Sequence, residues 1–222
     1  MLNGCIDHLF DYIEKSPTIG ILGPKVLNAD LSLQSSCRHF PSLWNNFCSA
    51  LALNKIFPAS KVFSGEHMFY FKHDKIKKVN VLVGCFLMVR RSACEQVGLL
   101  DEQFFMYAED IDWCKRFWRA GWEVVFFPYA QAIHYRGASS FNSPIRFSVE
   151  QEKSLLKFWE KHHNKPAQLT IFFILILQHI LRILSGSLLY LTKKSVRMNV
   201  ALRIEMNITC LRSLFRKKPM IK

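Results

Sequence analysis

Apolar and polar positions along this chain follow two rhythms, and the rhythms predict its elements. In residues 5–14 (CIDHLFDYIE), Ile6, Leu9, Phe10 and Ile13 recur at the spacing of an amphipathic helix, which stops at Ser16-Pro17. IGILGPKVL, 19–27, reads as a buried strand broken by Gly23-Pro24, with a polar turn over Asn28 to Asp30. A second helix is predicted over 42–56, then a loop of mixed polarity over 57–78. VNVLVGCFLMVRR, 79–91, is a Val-rich strand, too short to cross a bilayer, with Gly84 in its middle. A glycine inside a strand marks a bulge, a ligand's close approach or tight packing.

From residue 109 the rhythm turns helical. Ile111, Cys114, Phe117 and Trp118 share one face, Asp112, Lys115, Arg116 and Arg119 fall on others, and Gly121 ends the helix. WEVVFFP, 122–128, predicts a short strand closed by Pro128, and IHYRGASS a loop with polar and basic side chains. Residues 149–160 predict one more helix. The longest apolar stretch, 169–191, is just long enough to cross a bilayer as a helix. Arg182 sits near its centre, where a charge costs about 2.5–3.5 kcal/mol on insertion scales. Gln178, Arg182 and Ser185 form a polar stripe opposite Ile180, Leu181, Leu184 and Leu188, the pattern of a helix lying in the interface. A helix packed on protein is the other reading of the same stretch.

Charge sharpens this picture. Of the 222 residues, 30 are Lys or Arg and 17 Asp or Glu, for a formal net charge of +13. Twelve of the basic residues lie in 161–222, against the single Glu205, so residues 1–160 are nearly neutral. Basic charge trailing an apolar helix fits an anionic membrane surface, and a nucleic-acid binder would carry it on the folded reading face instead. No nucleic-acid partner is expected. The length suits one ordinary core, 1–160, plus a basic amphipathic tail, 161–222. Seven cysteines form no Cys-x-x-Cys pair and no zinc-like cluster in sequence. Their odd number, with no basic-then-apolar opening run, points to reduced thiols and a cytoplasmic setting.

Candidate chemistry gathers in one place. Five acidic residues, Asp101, Glu102, Glu109, Asp110 and Asp112, fall within twelve positions. Carboxylates at a helix start satisfy free N–H groups and the helix dipole. The functional alternative is a general base, with Asp110 the best single candidate: the dipole keeps it ionised while neighbouring carboxylates raise its proton affinity. His134, in the loop after the last short strand, is a surface side chain, a metal ligand or a donor to a leaving diphosphate, and Arg136 adds charge beside it.

The ordered series IGILGPKVL, QSSCRHFPS, VGCFLMVRR and VGLLDEQFFMYAEDIDWCKRFWRAGWEVVFFPYAQAIHYRGASS resembles the C-terminal, acceptor-side half of family 2 glycosyltransferases, especially rhamnosyltransferase-like members. The resemblance covers residues 1–160. It implies a partial GT-A-type α/β fold, a mixed sheet flanked by helices, to which the sequence adds the C-terminal membrane-associating tail. It implies that Asp110 is the catalytic base, that the stretch Gly84 to Leu87, Gly84 and Cys85 foremost, lines the acceptor pocket together with Glu109, that His134 holds a divalent metal (Mg or Mn), and that Arg136 serves the diphosphate. Asp110-Ile-Asp112 is an Asp-x-Asp triplet, yet it opens a helix after FFMYAE. It is therefore the acceptor-side motif and not the family's metal- and nucleotide-binding triplet, which belongs to a part of the family pattern that this sequence does not contain. The reaction implied is inverting transfer of a sugar, rhamnose in the members most resembled, from a dTDP- or UDP-linked donor to a lipid-linked or polysaccharide acceptor at the cytoplasmic face of the membrane. A chain with this half alone is expected to be inactive by itself. The alternative is a non-catalytic, membrane-associated remnant or partner subunit of a split enzyme.

Overall fold

The computed structural model describes residues 1–2, 4–135, 137 and 142–216. In chain order the elements are α1 (Cys5–Glu14), β1 (Ile19–Leu27), β2 (Leu33–Gln34), β3 (Cys37–Arg38), α2 (Leu43–Ala50), α3 (Leu53–Ile56), β4 (Lys77–Lys78), β5 (Val81–Leu82), β6 (Met88–Val89), α4 (Arg91–Val97), α5 (Glu109–Arg119), β7 (Glu123–Ile133), α6 (Pro144–His162), α7 (Lys165–Thr192) and α8 (Arg197–Arg216), with a 3₁₀ turn at Lys194–Val196. They form two compact units.

The first unit comprises Met1–Phe40, Pro58–Phe104 and the chain from Ala108 through β7. Its mixed sheet runs β2-β1-β7-β4, with β6 also paired to β1, and β3 and β5 make a separate two-stranded ladder. β1 and β7 are parallel, while β2, β6 and β4 add antiparallel partners. Alternate residues feed two cores, as a pleated strand requires. Ile21, Val124 and Phe126 pack with Cys114 and Phe117 of α5, whereas Leu22, Val125 and Phe127 pack with Cys5, Leu9 and Ile13 of α1. Ile6 and Phe10, expected on the buried face of α1, are exposed instead. Arg90 closes the C-terminal end of α1: its guanidinium donates to the carbonyls of Ile13, Ser16 and Ile19.

Three expectations are corrected here. Residues 79–91 are not one strand, because Val81–Leu82 pair with Cys37–Arg38 and Met88–Val89 pair with β1. Between them the backbone leaves the ladder, and the Gly84 N–H goes to a side-chain carboxylate. Pro128 does not end its strand. The β1–β7 register jumps from Pro24↔Phe127 to Lys25↔Gln131, so Pro128 sits in a bulge where no ladder hydrogen bond is required of it. The predicted helix over 42–56 is two helices, separated at Ala52 by a left-handed φ of +57°.

The second unit comprises Pro41–Phe57, Phe105–Tyr107 and the C-terminal helices, so the expected 160/161 boundary falls near the end of α6. Pro at the start of α6 and Asn164, whose side chain accepts from the Ala167 N–H at 3.2 Å, begin the two long helices. Gln168 ties their junction by donating to the carbonyls of His163 and Glu160. α7 packs on α2, α6 and α8 through Ile171, Ile174, Leu175 and His179. Gly186 lets α8 approach, since a Cβ there would meet Ile204 at 3.0 Å. The opposite stripe of α7 (Phe173, Leu177, Ile180, Leu184, Leu188 and Leu191) is exposed. Among the described residues, α7 is the helix long and apolar enough to cross a membrane.

Candidate active site

The acidic island divides by task once folded. Asp101 closes a local turn, its Oδ1 accepting the Gln103 N–H at 2.9 Å. Asp112, expected on a polar face, is fully buried and pairs with Arg116 Nε at 2.8 Å. Arg116 also donates to the carbonyls of Val97 and Leu99, at 2.9 and 2.7 Å, so this pair fastens α5 to the chain just before Leu100. Burial without that partner would be costly.

Glu102 is exposed, and Glu109 and Asp110 remain, in the first turn of α5. Tyr107 and Ala108 immediately before them both take left-handed φ values, +66° and +63°. Two such non-glycine residues in succession are strained, and conformations of this kind persist where surrounding structure holds them. Here α5 starts directly after the strained pair, with no side-chain cap on Ala108, and carries both carboxylates in its first turn. Asp110 Oδ1 accepts the Ile111 N–H at 2.8 Å, and Oδ2 accepts the Gly84 N–H at 2.8 Å. Both carboxylate oxygens are thus held by backbone donors at the start of α5. Glu109 differs: burial, with the Asp110 charge beside it, holds its carboxyl above the ordinary value, and its buried Oε2 has no hydrogen-bond partner.

Gly84, Cys85, Phe86, Leu87, Leu100, Glu109, Asp110 and Trp113 line one cavity of about 350 Å³. That is pocket-sized, with apolar and aromatic walls around two convergent carboxylates. The structure thus brings together Asp110, Glu109, Gly84 and Cys85. Burial, with Asp110 nearby, pushes the Cys85 thiol up, so it stays protonated and lines the wall as a small apolar group. Phe86 and Leu87 belong to the stretch that the resemblance sets against the acceptor, whereas Leu100 and Trp113 escaped the reading of the sequence. Only Trp113 carried a signal, as the residue one turn beyond Glu109 on the same helix.

His134 is not among the residues lining that cavity. It follows β7, and its N–H donates to the Leu27 carbonyl at the end of β1. Gln34 Nε2 donates to Asn28 Oδ1 and the His134 carbonyl, which leaves Gln34 Oε1 to accept from His134 Nδ1 at 2.7 Å. Nδ1 therefore carries a proton, so that in the neutral ring the lone pair is on Nε2, the tautomer of a metal-ligating histidine with an outer partner. In this respect the side chain fits the expected metal. Arg136 lies outside the described residues.

Residues 44–197 match the family described as "Glycosyl transferase family group 2". An N-acetylglucosaminyl-diphospho-decaprenol L-rhamnosyltransferase of Mycobacterium tuberculosis (strain ATCC 25618 / H37Rv) is 34% identical over 161 residues, 72% of this chain and 52% of that protein. A rhamnosyltransferase of Escherichia coli (strain K12) is 34% identical over 120 residues, 52% of this chain and 41% of that protein. A low-salt glycan biosynthesis hexosyltransferase of Haloferax volcanii is 36% identical over 63 residues, 28% of this chain and 20% of that protein. The chain spans about half the length of the first relative and less of the other two. With a family match over most of its length and a mixed α/β fold presenting a paired-carboxylate cavity, the chain belongs to glycosyl transferase family group 2 and is rhamnosyltransferase-like.

Proposed function

We propose that this chain supplies the acceptor side of an inverting sugar transfer, with Asp110 as the general base. The observation that carries the reading is the cavity in which two backbone N–H groups fix the Asp110 carboxylate beside Glu109. An acceptor hydroxyl in this cavity gives its proton to Asp110 as its oxygen forms a bond to the anomeric carbon. The bond from that carbon to the diphosphate oxygen breaks in the same displacement, and the diphosphate leaves with the electron pair. Glu109, whose carboxyl burial and the Asp110 charge hold above its ordinary value, hydrogen-bonds the acceptor beside the base. Trp113 and Leu100 give the sugar ring an apolar wall.

A divalent metal, Mg or Mn, would neutralise charge on the departing diphosphate, with His134 Nε2 as this chain's ligand and Arg136 as an added cation. The donor is a dTDP- or UDP-linked sugar, rhamnose by kinship with the two rhamnosyltransferases, and the acceptor a lipid-linked glycan, as the name of the mycobacterial relative states for that protein. The grip on the nucleotide belongs to residues outside this sequence, so the chain alone transfers no sugar. The exposed apolar stripe of α7 and the basic charge around it support a peripheral position on an anionic membrane surface, which we read as the cytoplasmic face.

The test joins the N-terminal half of the mycobacterial relative ahead of Met1 and follows labelled rhamnose into a lipid-linked acceptor. Asp110→Asn keeps the size and one of the two accepted backbone bonds, so stability should fall by about 1 kcal/mol. Turnover should fall about a hundredfold to ten-thousandfold, with donor affinity unchanged. A folded Asp110→Asn protein with near-normal turnover would remove Asp110 from the role of base.

A further inference from the structure

The helical unit holds a second group of reactive side chains that the proposed transfer does not use. Glu152 of α6, His179 of α7 and Cys210 of α8 are 8%, 3% and 4% exposed, and their potential ligand atoms lie within 4.8 Å of one another. His179 Nε2 is 2.8 Å from Glu152 Oε2, and its Nδ1 is 2.9 Å from Asn207 Oδ1. Asn207 cannot be turned the other way, because its Nδ2 donates to the Arg203 carbonyl at 2.6 Å. Its Oδ1 therefore accepts from Nδ1–H, while Nε2 and Glu152 Oε2 share a second proton, the one that a metal ion between them would replace. Glu152 Oε1, buried in the same place, has no hydrogen-bond partner. An orphaned carboxylate oxygen in a helical core is expensive unless another group satisfies it.

A thiol, an imidazole and a carboxylate converging from three helices form a donor set suited to zinc, which takes S, N and O ligands tetrahedrally. Metal–ligand distances of about 2.0–2.3 Å place tetrahedral ligand atoms roughly 3.2–3.8 Å apart, so side-chain movements of about an ångström close the cluster around an ion. The Asn207–His179 bond is the outer contact that fixes a ligating histidine's tautomer. Arg182, one turn beyond His179, adds a positive charge that acts on both Glu152 and Cys210.

We propose that Glu152, His179 and Cys210 form a zinc site that ties α6, α7 and α8 together, with the second Glu152 oxygen or a water in the fourth position. Without metal Cys210 is a free, buried thiol. Zinc binding forms the Zn–S, Zn–N and Zn–O bonds and releases to solvent the thiol proton and the proton shared by His179 and Glu152.

The experiment uses the full chain, stripped with chelator and titrated with Co²⁺ and then Zn²⁺. One equivalent of Co²⁺ should give a thiolate-to-cobalt charge-transfer band that Zn²⁺ erases, and Zn²⁺ should raise the unfolding temperature. Cys210→Ser should abolish the band and weaken zinc binding at least tenfold. Where Cys210→Ser fails to fold, Glu152→Gln serves: the band should persist while zinc affinity drops at least tenfold. No charge-transfer band, a band that survives in folded Cys210→Ser, or unchanged zinc affinity in Glu152→Gln would each overturn the proposal and leave the cluster a hydrogen-bonded helix clamp.

Discussion

Gly84 and Asp110 are fitted to each other: the glycine N–H donates to Asp110 Oδ2 at 2.8 Å, and a Cβ on Gly84 would stand 3.2 Å from the Asp110 Cβ. The first prediction follows from that spacing. Gly84→Ala forces the aspartate side chain to yield by a few tenths of an ångström while leaving the surrounding core intact. In the completed enzyme, turnover should fall about tenfold or more, because small misplacements of a catalytic group are costly. The unfolding midpoint should barely move. Equal losses in stability and turnover would mean that Gly84 is only a packing glycine.

Local features of this fold are legible in the sequence because their causes are local. The three- and four-residue spacing of α1, the acidic start and basic end of α5, and Gly121 past its end place both helices where the structure has them. The crowded carboxylates likewise point to Glu109 and Asp110, which line one cavity. What the sequence hides depends on partners far along the chain. The break in residues 79–91 reflects the Gly84 N–H finding Asp110, 26 residues away, and Pro128 is tolerated only because the β1–β7 register puts it in a bulge. Asp112 looked like a surface charge until its pairing with Arg116 was seen in a buried setting. The cluster of Glu152, His179 and Cys210 has no readable spacing, since helix packing alone brings it together.

The second prediction concerns that buried pair. Asp112→Asn leaves Arg116 without its anion at a position where the aspartate is fully buried. Removing one member of such a pair costs about 3–5 kcal/mol, and retained bonds to Val97 and Leu99 favour the lower end. Urea unfolding of the two chains measures it. A loss under about 0.5 kcal/mol, the range of an ordinary surface change, would show that the pair adds little.

Glu109 supplies a pH dependence. Its carboxyl is raised above the ordinary 4.5 by burial and by Asp110, so between that value and its folded pKa the native chain binds more protons than the unfolded one. Stability from this group is therefore complete below the unfolded pKa and lost as pH rises through the folded one. Glu109→Gln removes the charging step. Its stability relative to the parent should increase from pH 4.5 to pH 7 in parallel urea titrations. A constant difference across that window would show that Glu109 titrates as an ordinary surface carboxylate.

The last prediction tests where α7 lies. Leu184 and Leu188, one turn apart, are 62% and 64% exposed within the stripe that runs from Phe173 to Leu191. A soluble surface has little reason to keep such a stripe uncovered, whereas an interface buries it and holds the flanking Lys193, Lys194 and Arg197 against anionic headgroups. Burying one leucine is worth about 1.5–3 kcal/mol, so replacing both with glutamine should weaken binding to anionic vesicles by about a hundredfold or more. Because neither side chain contributes to the buried face of α7, thermal unfolding in solution should stay within a degree or two of the parent, by the roughly 0.5 kcal/mol expected of surface changes. High salt should weaken the parent's binding as well, since part of the attraction is electrostatic. Vesicle sedimentation of parent and Leu184→Gln/Leu188→Gln chains, at low and high salt, reads both effects. If the double variant sediments as strongly as the parent, the stripe does not face lipid, and protein outside this sequence is what covers α7.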